Sequence, residues 1–236
     1  MTDTPLSGRI ALVTGASRGI GAATAIALGA RGAHVVLTAR TAGGLEEVEE
    51  RIYEAGGSAT IAPLDLTETD GVARLATAVS ERWHALDILV LNAGMLGTLA
   101  AVPAIDMKEF ATLMTLNVSA QAALIASFDP LLRHSDGGRV IGVTSSVGLA
   151  PRAYWGAYGA SKAAFETLLA SYGEEMRNIT RIRTAIVDPG ATRTKMRARA
   201  YPGEDPASVK PPETVAERIA ELAVAGFDAN TRIRVD

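Results

Sequence analysis

The chain of 236 residues contains no cysteine. Disulfides, thiolate metal sites and cysteine nucleophiles are therefore excluded from its chemistry. Histidine is scarce too. His34, His84 and His134 lie scattered without metal-ligand spacing, so no metal site is expected. No stretch approaches the roughly 18 consecutive apolar residues that a membrane span requires. The polar start, Met1 to Gly8, lacks the basic and apolar regions of a signal peptide. The formal charge of −3 offers no excess of one sign that would attract nucleic acid or an anionic membrane. These absences imply a cytoplasmic protein with small-molecule partners, without nucleic acid and without membrane.

What is present is a core and a rhythm. Hydrophobic residues make up 48 % of the chain, enough for a substantial core, and the length suits a single domain over residues 1–236. Short β-branched runs, most of them continuously apolar, read as strands at Ile10–Thr14, His34–Thr38, Ser58–Pro63, Ile88–Leu91, Arg139–Thr144, Arg183–Val187 and Arg232–Val235. Runs apolar throughout suit strands buried on both faces. Helical patterns fall between them at Ile20–Arg31, Leu45–Ala55, Asp70–Trp83, Met107–Ser127, Tyr158–Arg177 and Pro212–Ala225. Such alternation implies an α/β fold, a doubly wound parallel sheet of about seven strands with helices on both faces. One segment breaks the rhythm. From Ala191 to Pro212 the chain carries Pro202, Gly203, Pro206, Pro211 and Pro212 after a basic start, and reads as a structureless lid over about residues 191–212.

The first strand runs directly into Thr14-Gly15-Ala16-Ser17-Arg18-Gly19-Ile20-Gly21 and then an alanine-rich helix. Glycines here let the chain turn sharply and bring backbone N–H groups against a pyrophosphate. The helix start adds unpaired donors and a positive dipole end. No Lys-Ser/Thr follows the last glycine, so a nucleotide-hydrolysing loop is not indicated.

The spacing Gly15-x3-Gly19-x-Gly21 resembles the short-chain dehydrogenase/reductase family, and further matches follow in order. These are Asp65-Leu66, Asn92-Ala93-Gly94, Asn117 in Leu-Asn-Val, Tyr158-Gly159-Ala160-Ser161-Lys162, and Pro189-Gly190-Ala191-Thr192-Arg193-Thr194. The resemblance is to single-domain members like 3-oxoacyl-[acyl-carrier-protein] reductases, and it implies a Rossmann-type sheet. It also implies that Gly15, Ser17, Arg18, Gly19, Ile20 and Gly21 hold the cofactor phosphates. By the same resemblance Asp65 and Leu66 contact the adenine, and Asn92, Ala93 and Gly94 bind the cofactor at the turn after the fourth strand. Lys162 bonds the nicotinamide ribose, and the Pro189, Gly190, Thr192 and Thr194 segment covers the nicotinamide. Asn117 holds a water linking Lys162 to solvent.

Tyr158 and Lys162 are four residues apart and share a helix face. A free phenol has a pKa of about 10 and is a poor base at neutral pH. An adjacent ammonium favours the phenolate, and an oxidised nicotinamide ring would add a second positive charge, so Tyr158 is expected to have a lowered pKa and to act as general acid and base. Ser145 ends the fifth strand, where its hydroxyl can hold a substrate oxygen. Ser146 is a rival, although Ser145 has the family's offsets from Arg139 and Tyr158. The acidic residue that accepts a ribose 2′-OH in NAD enzymes is absent. Ala39 stands in its place and Arg40 follows, with Arg18 near, which favours NADP(H) over NAD(H).

The expected reaction is hydride transfer between NADP(H) and a carbonyl or secondary alcohol. An NAD-dependent alcohol dehydrogenase and a non-catalytic dinucleotide-binding regulator are the alternatives. A sugar-nucleotide epimerase would need a longer C-terminal domain. Leu96, Leu149, Tyr154 and Trp155 suggest an apolar pocket. A homodimer through the Met107–Ser127 and Tyr158–Arg177 helices is expected. The chain ends at Asp236 without the Gly-Gly tail of many members, which weakens the case for a homotetramer.

Overall fold

The computed structural model describes residues 4–236; residues 1–3 of the polar start lie outside it. Strands β1 (Ile10–Thr14), β2 (His34–Ala39), β3 (Ser58–Pro63), β4 (Ile88–Leu91), β5 (Arg139–Val143), β6 (Arg183–Asp188) and β7 (Thr231–Arg234) pair throughout in parallel. They form a seven-stranded sheet in the order β3-β2-β1-β4-β5-β6-β7. The winding reverses between β1 and β4, and a parallel sheet opens a ligand crevice at the carboxyl ends beside such a reversal.

Period-two alternation on the strands divides the core. Ala11, Val13, Val35, Leu37, Val90 and Val143 pack on one face against α1 (Gly19–Gly29), α2 (Ala42–Glu54) and α8 (Pro212–Ala225). Leu12, Val36, Leu89, Leu91 and Val140 face the other way, against α3 (Gly71–Arg82), α5 (Ala120–His134) and α6 (Gly156–Met176). Both faces are covered, which is why these strands read as unbroken apolar runs.

Three differences from the sequence reading matter. The helix begun at Met107 runs on through Pro130 to His134, with α4 (Met107–Met114) joined to α5 by a π turn at Thr115–Ser119. By length and composition alone this 28-residue helix could cross a membrane, a candidate the sequence reading did not raise, although polar residues from Lys108 to Gln121 keep it from being a continuous apolar run. Yet Leu124, Phe128, Leu131 and Leu132 are buried in the core of the fold. The third difference lies in Ala191–Pro212, which is not structureless: it carries α7 (Lys195–Ala200), a 3₁₀ turn at Pro206–Ser208, and a bridge between Thr192 and Lys210. The Thr194 hydroxyl caps α7 by accepting the Arg197 N–H at 3.1 Å, and Arg197 pairs with Glu204 while its guanidinium stacks 3.6 Å from the Tyr201 ring centroid.

Candidate active site

The turn after β1 is shaped by what it cannot contain. Gly15 has φ +64°, and a β-carbon at Gly21 would lie 2.3 Å from the Gly15 carbonyl oxygen and 2.5 Å from Asn92 Nδ2. Only glycine allows α1 to start so close to the strand end. The first amides of α1, those of Gly19, Ile20 and Gly21, have no carbonyl within the helix to bond and no capping side chain. Ser17 is half-buried and Arg18 exposed at this turn. The cradle therefore fits an anionic dinucleotide.

Thr14, fully buried, ties this turn to β4. Its hydroxyl donates to Val90 O at 3.1 Å and accepts the N–H groups of Asn92 and Ala93, each at 3.0 Å. Asn92 Nδ2 donates back to Thr14 O at 2.9 Å. Thr14 was not singled out from the sequence, although its place just before Gly15 in the glycine motif was a signal.

Across the crevice, α6 presents Tyr158 and Lys162, which are 7 % and 5 % exposed. Lys162 Nζ donates to Val143 O at 3.0 Å, at the end of β5, and stands 5.8 Å from the Tyr158 ring centroid. The Asn92-Ala93-Gly94 turn closes on this pair. A β-carbon on Gly94 would meet Asn117 Oδ1 at 3.2 Å and Lys162 Nζ at 3.5 Å. Asn117 sits inside the π turn, where a widened helical turn aims its side chain into the protein. Its Oδ1 accepts the Met95 N–H at 2.8 Å, and its Nδ2 donates to Met95 O at 2.9 Å and Ser161 Oγ at 3.0 Å. Ser161, the residue before the lysine, completes the chain by donating to Tyr158 O at 2.8 Å. It too was missed, although it lies within the Tyr-x-x-x-Lys match.

The two serine candidates differ. Ser146 Oγ accepts from Arg152 at 3.2 Å. Ser145, extended and half-buried at the end of β5, has no such tie among the described residues. On the far side Gly190 N–H donates to Asp188 Oδ1 at 3.0 Å, and the Thr192 hydroxyl donates to Pro189 O at 2.9 Å. A β-carbon on Gly19 would lie 3.4 Å from Thr194, so this segment abuts the phosphate turn.

The electrostatics differ from expectation. Tyr158 is pushed well above the ordinary phenol value, first by burial and then by the Asp188 carboxylate. Burial lowers Lys162 to about 8, while Glu166 acts in the opposite direction. Desolvation therefore sets the direction of the Tyr158 shift.

Leu96, Val147 and Tyr158 form an apolar cluster with Leu99, Trp155 and Ala200 beside it. Trp155 meets Tyr158 edge-on at 6.0 Å and Tyr201 at 5.8 Å between centroids. Leu149 and Tyr154 do not join this cluster; each is 64 % exposed. At the other end of the crevice, Arg40, Asp65 and Arg74 line a cleft of about 550 Å³. Asp65 Oδ1 is held by the Thr67 N–H and hydroxyl at 2.9 and 2.7 Å, while Leu66 is buried.

Residues 9–205 match the family model described as short chain dehydrogenase. The chain is 37 % identical over 213 residues to the oxidoreductase YciK of Escherichia coli K12, covering 89 % of this chain and 84 % of that protein. A short chain dehydrogenase structure from Shigella flexneri 2a, complexed with NADP, is 34 % identical with a TM-score of 0.94, covering 100 % of this chain and 99 % of that one. Another from Escherichia coli CFT073, complexed with NADPH, is 35 % identical with a TM-score of 0.89, covering 98 % of each chain.

Proposed function

Because the chain belongs to the short-chain dehydrogenase family, we propose that it is an NADP(H)-dependent oxidoreductase interconverting a ketone or aldehyde with its alcohol, with Tyr158 as general acid and base. The observation that carries this reading is the buried pair Tyr158 and Lys162 at the carboxyl end of β5, where Lys162 bonds Val143 O two residues before Ser145.

The bound nicotinamide would supply or accept the hydride at the substrate carbon. Tyr158 holds the proton. Burial keeps its phenol protonated at neutral pH, which suits delivery to a carbonyl oxygen in the reductive direction. Ser145 donates to the same oxygen and stabilises charge developing there. Lys162, held by Val143 O, places a positive charge beside the phenol and would bond the nicotinamide ribose when the cofactor is bound. Asn117 anchors the Met95 backbone and the Ser161 hydroxyl, fixing the floor of the site. Ala191–Pro212 acts as a lid on this single catalytic domain, bringing Met196 and Ala200 to the pocket.

Arg40 after β2 takes a 2′-phosphate, a role supported by the absence of an acid at Ala39 and by the NADP in the Shigella flexneri structure. The test is a carbonyl panel assayed with NADPH and with NADH, with Tyr158→Phe beside the unaltered chain. Turnover with NADPH and its loss by about 10²–10⁴-fold in the variant are expected. NADPH binding without turnover of any carbonyl would overturn the catalytic reading.

A further inference from the structure

Glu166 is a charged side chain in the interior that the proposed reaction does not use. It lies on α6 one turn beyond Lys162, which is itself one turn beyond Tyr158, so the three share a face. Only 7 % of it is exposed. Its Oε1 accepts the Thr144 hydroxyl at 2.5 Å, and Arg232 from β7 brings Nε and Nη2 within 3.4 Å of its two oxygens. A β-carbon on Gly148 would lie 2.9 Å from Oε1, so glycine there lets the turn after β5 close over the carboxylate.

A buried carboxylate is costly unless its charge is answered. Arg232 answers it incompletely, because 3.4 Å exceeds the roughly 2.7–2.9 Å of a strong charge-assisted bond. Field from the carboxylate is therefore left to act one helical turn away. There Lys162 is buried among neutral groups: Val143 O at 3.0 Å, and the rings of Phe165 and Tyr158 at 5.5 and 5.8 Å. The ionisable groups around the pair are Tyr158 and Glu166 on α6, Asp188 on β6 and Arg232 on β7. The end of β5 and the π turn bring only Thr144, Ser145 and Asn117.

Resting on the acid/base reading above, we propose that Glu166 is a positioning residue whose carboxylate keeps the Lys162 ammonium charged and, through Thr144, fixes the strand end that carries Ser145. It touches neither substrate nor reacting atoms. Burial alone drives Lys162 downward, and Glu166 is the charge that acts against it.

The experiment reads Lys162 directly, by NMR titration of the free chain labelled with ¹³Cε-lysine, its signal assigned by loss in Lys162→Arg. Glu166→Gln keeps the size and the acceptor oxygen but removes the charge. The Lys162 midpoint should fall by about one pH unit in Glu166→Gln and stay within about 0.3 unit of the unaltered chain in Glu166→Asp. In kcat the Gln variant should lose about twofold near pH 7 and about fivefold near pH 8, with KM changed less than about twofold. Arg232→Gln, which removes the competing cation, should raise the midpoint and supplies the test if Glu166→Gln fails to fold. An unmoved midpoint in either folded variant, or Glu166→Asp shifting as far as Glu166→Gln, overturns the proposal. A structural glutamate would change thermal stability alone. Absence of carbonyl turnover in the unaltered chain would strike the acid/base reading, whereas the midpoints test the coupling itself.

Discussion

The Tyr158 hydroxyl faces the thioether of Met196, 4.0 Å away. On the acid/base reading, this is where a substrate oxygen must arrive. A thioether is a weak acceptor that a carbonyl displaces readily. Met196 is 37 % exposed on the short helix α7, with room to move outward. Met196→Ala should therefore widen the pocket without touching the proton donor. The KM for bulky ketones should fall about three- to tenfold, while kcat for a small ketone stays within about twofold. Kinetics over a series of ketones of increasing size checks this. An equal loss of kcat/KM across the series would mean that Met196 aligns substrate and does not restrict it.

The phosphate turn makes a sharper demand. A methyl group at Gly21 would press into the Gly15 carbonyl oxygen at 2.3 Å, backbone against helix, with no side chain able to yield. Gly21→Ala should separate α1 from β1, lower stability by about 1–3 kcal/mol, and weaken NADPH binding at least about tenfold. Gly43, in the first turn of α2, is the control, because a β-carbon there would meet nothing within 4 Å. Gly43→Ala should leave binding alone and add about 0.5 kcal/mol through helix propensity. Denaturant midpoints and fluorescence titration of both variants decide the matter; equal behaviour would refute the steric account.

The strands and the glycine turn were legible because they depend on short-range signals. Ile10–Thr14 and Ile88–Leu91 have the same bounds in sequence and structure, since a strand buried on both faces must be apolar along its whole length. The π turn around Asn117 was not legible, because one extra residue in a long helix leaves the apolar pattern almost intact. Helix α7 was missed for the opposite reason. Its basic residues carry no apolar stripe, and it is held by the Thr194 cap and the Arg197–Glu204 pair. The direction of the Tyr158 shift was misread because spacing reveals a neighbouring charge, whereas burial belongs to the tertiary structure.

Arg40 offers a test of cofactor choice. It is exposed, lines the cleft beside Asp65, and contributes to lowering the Asp65 pKa, behind the stronger Thr67 hydrogen bonds. Arg74 lines the same cleft but is engaged with Glu68 at 3.3 Å. Arg40→Asp should raise the NADPH dissociation constant about 10–100-fold and the NADH constant less than about threefold, since only one dinucleotide carries the 2′-phosphate. Arg74→Ala should change neither by more than about twofold. Titrations at matched ionic strength measure all four constants. Equal weakening of both dinucleotides by Arg40→Asp would mean that the arginine does not read the phosphate.

The buried lysine predicts a pH dependence of stability. Burial lowers Lys162 from 10.5 to about 8 in the folded chain. Between those values the unfolded chain binds more protons than the folded one, so stability rises with pH. Tyr158 and Tyr172 act the other way. Burial raises both above 10.0, so the unfolded chain ionises first and stability falls above that value. Lys162 therefore dominates this balance from about pH 8 to about pH 10, where it should add about 2–3 kcal/mol. Lys210, lowered chiefly by burial, shifts in the same direction, so the effect must be read against a Lys162→Met variant. Denaturant unfolding of both chains across that range should show the unaltered protein gaining on the variant as pH rises. Parallel curves would mean that Lys162 is not desolvated in the folded state.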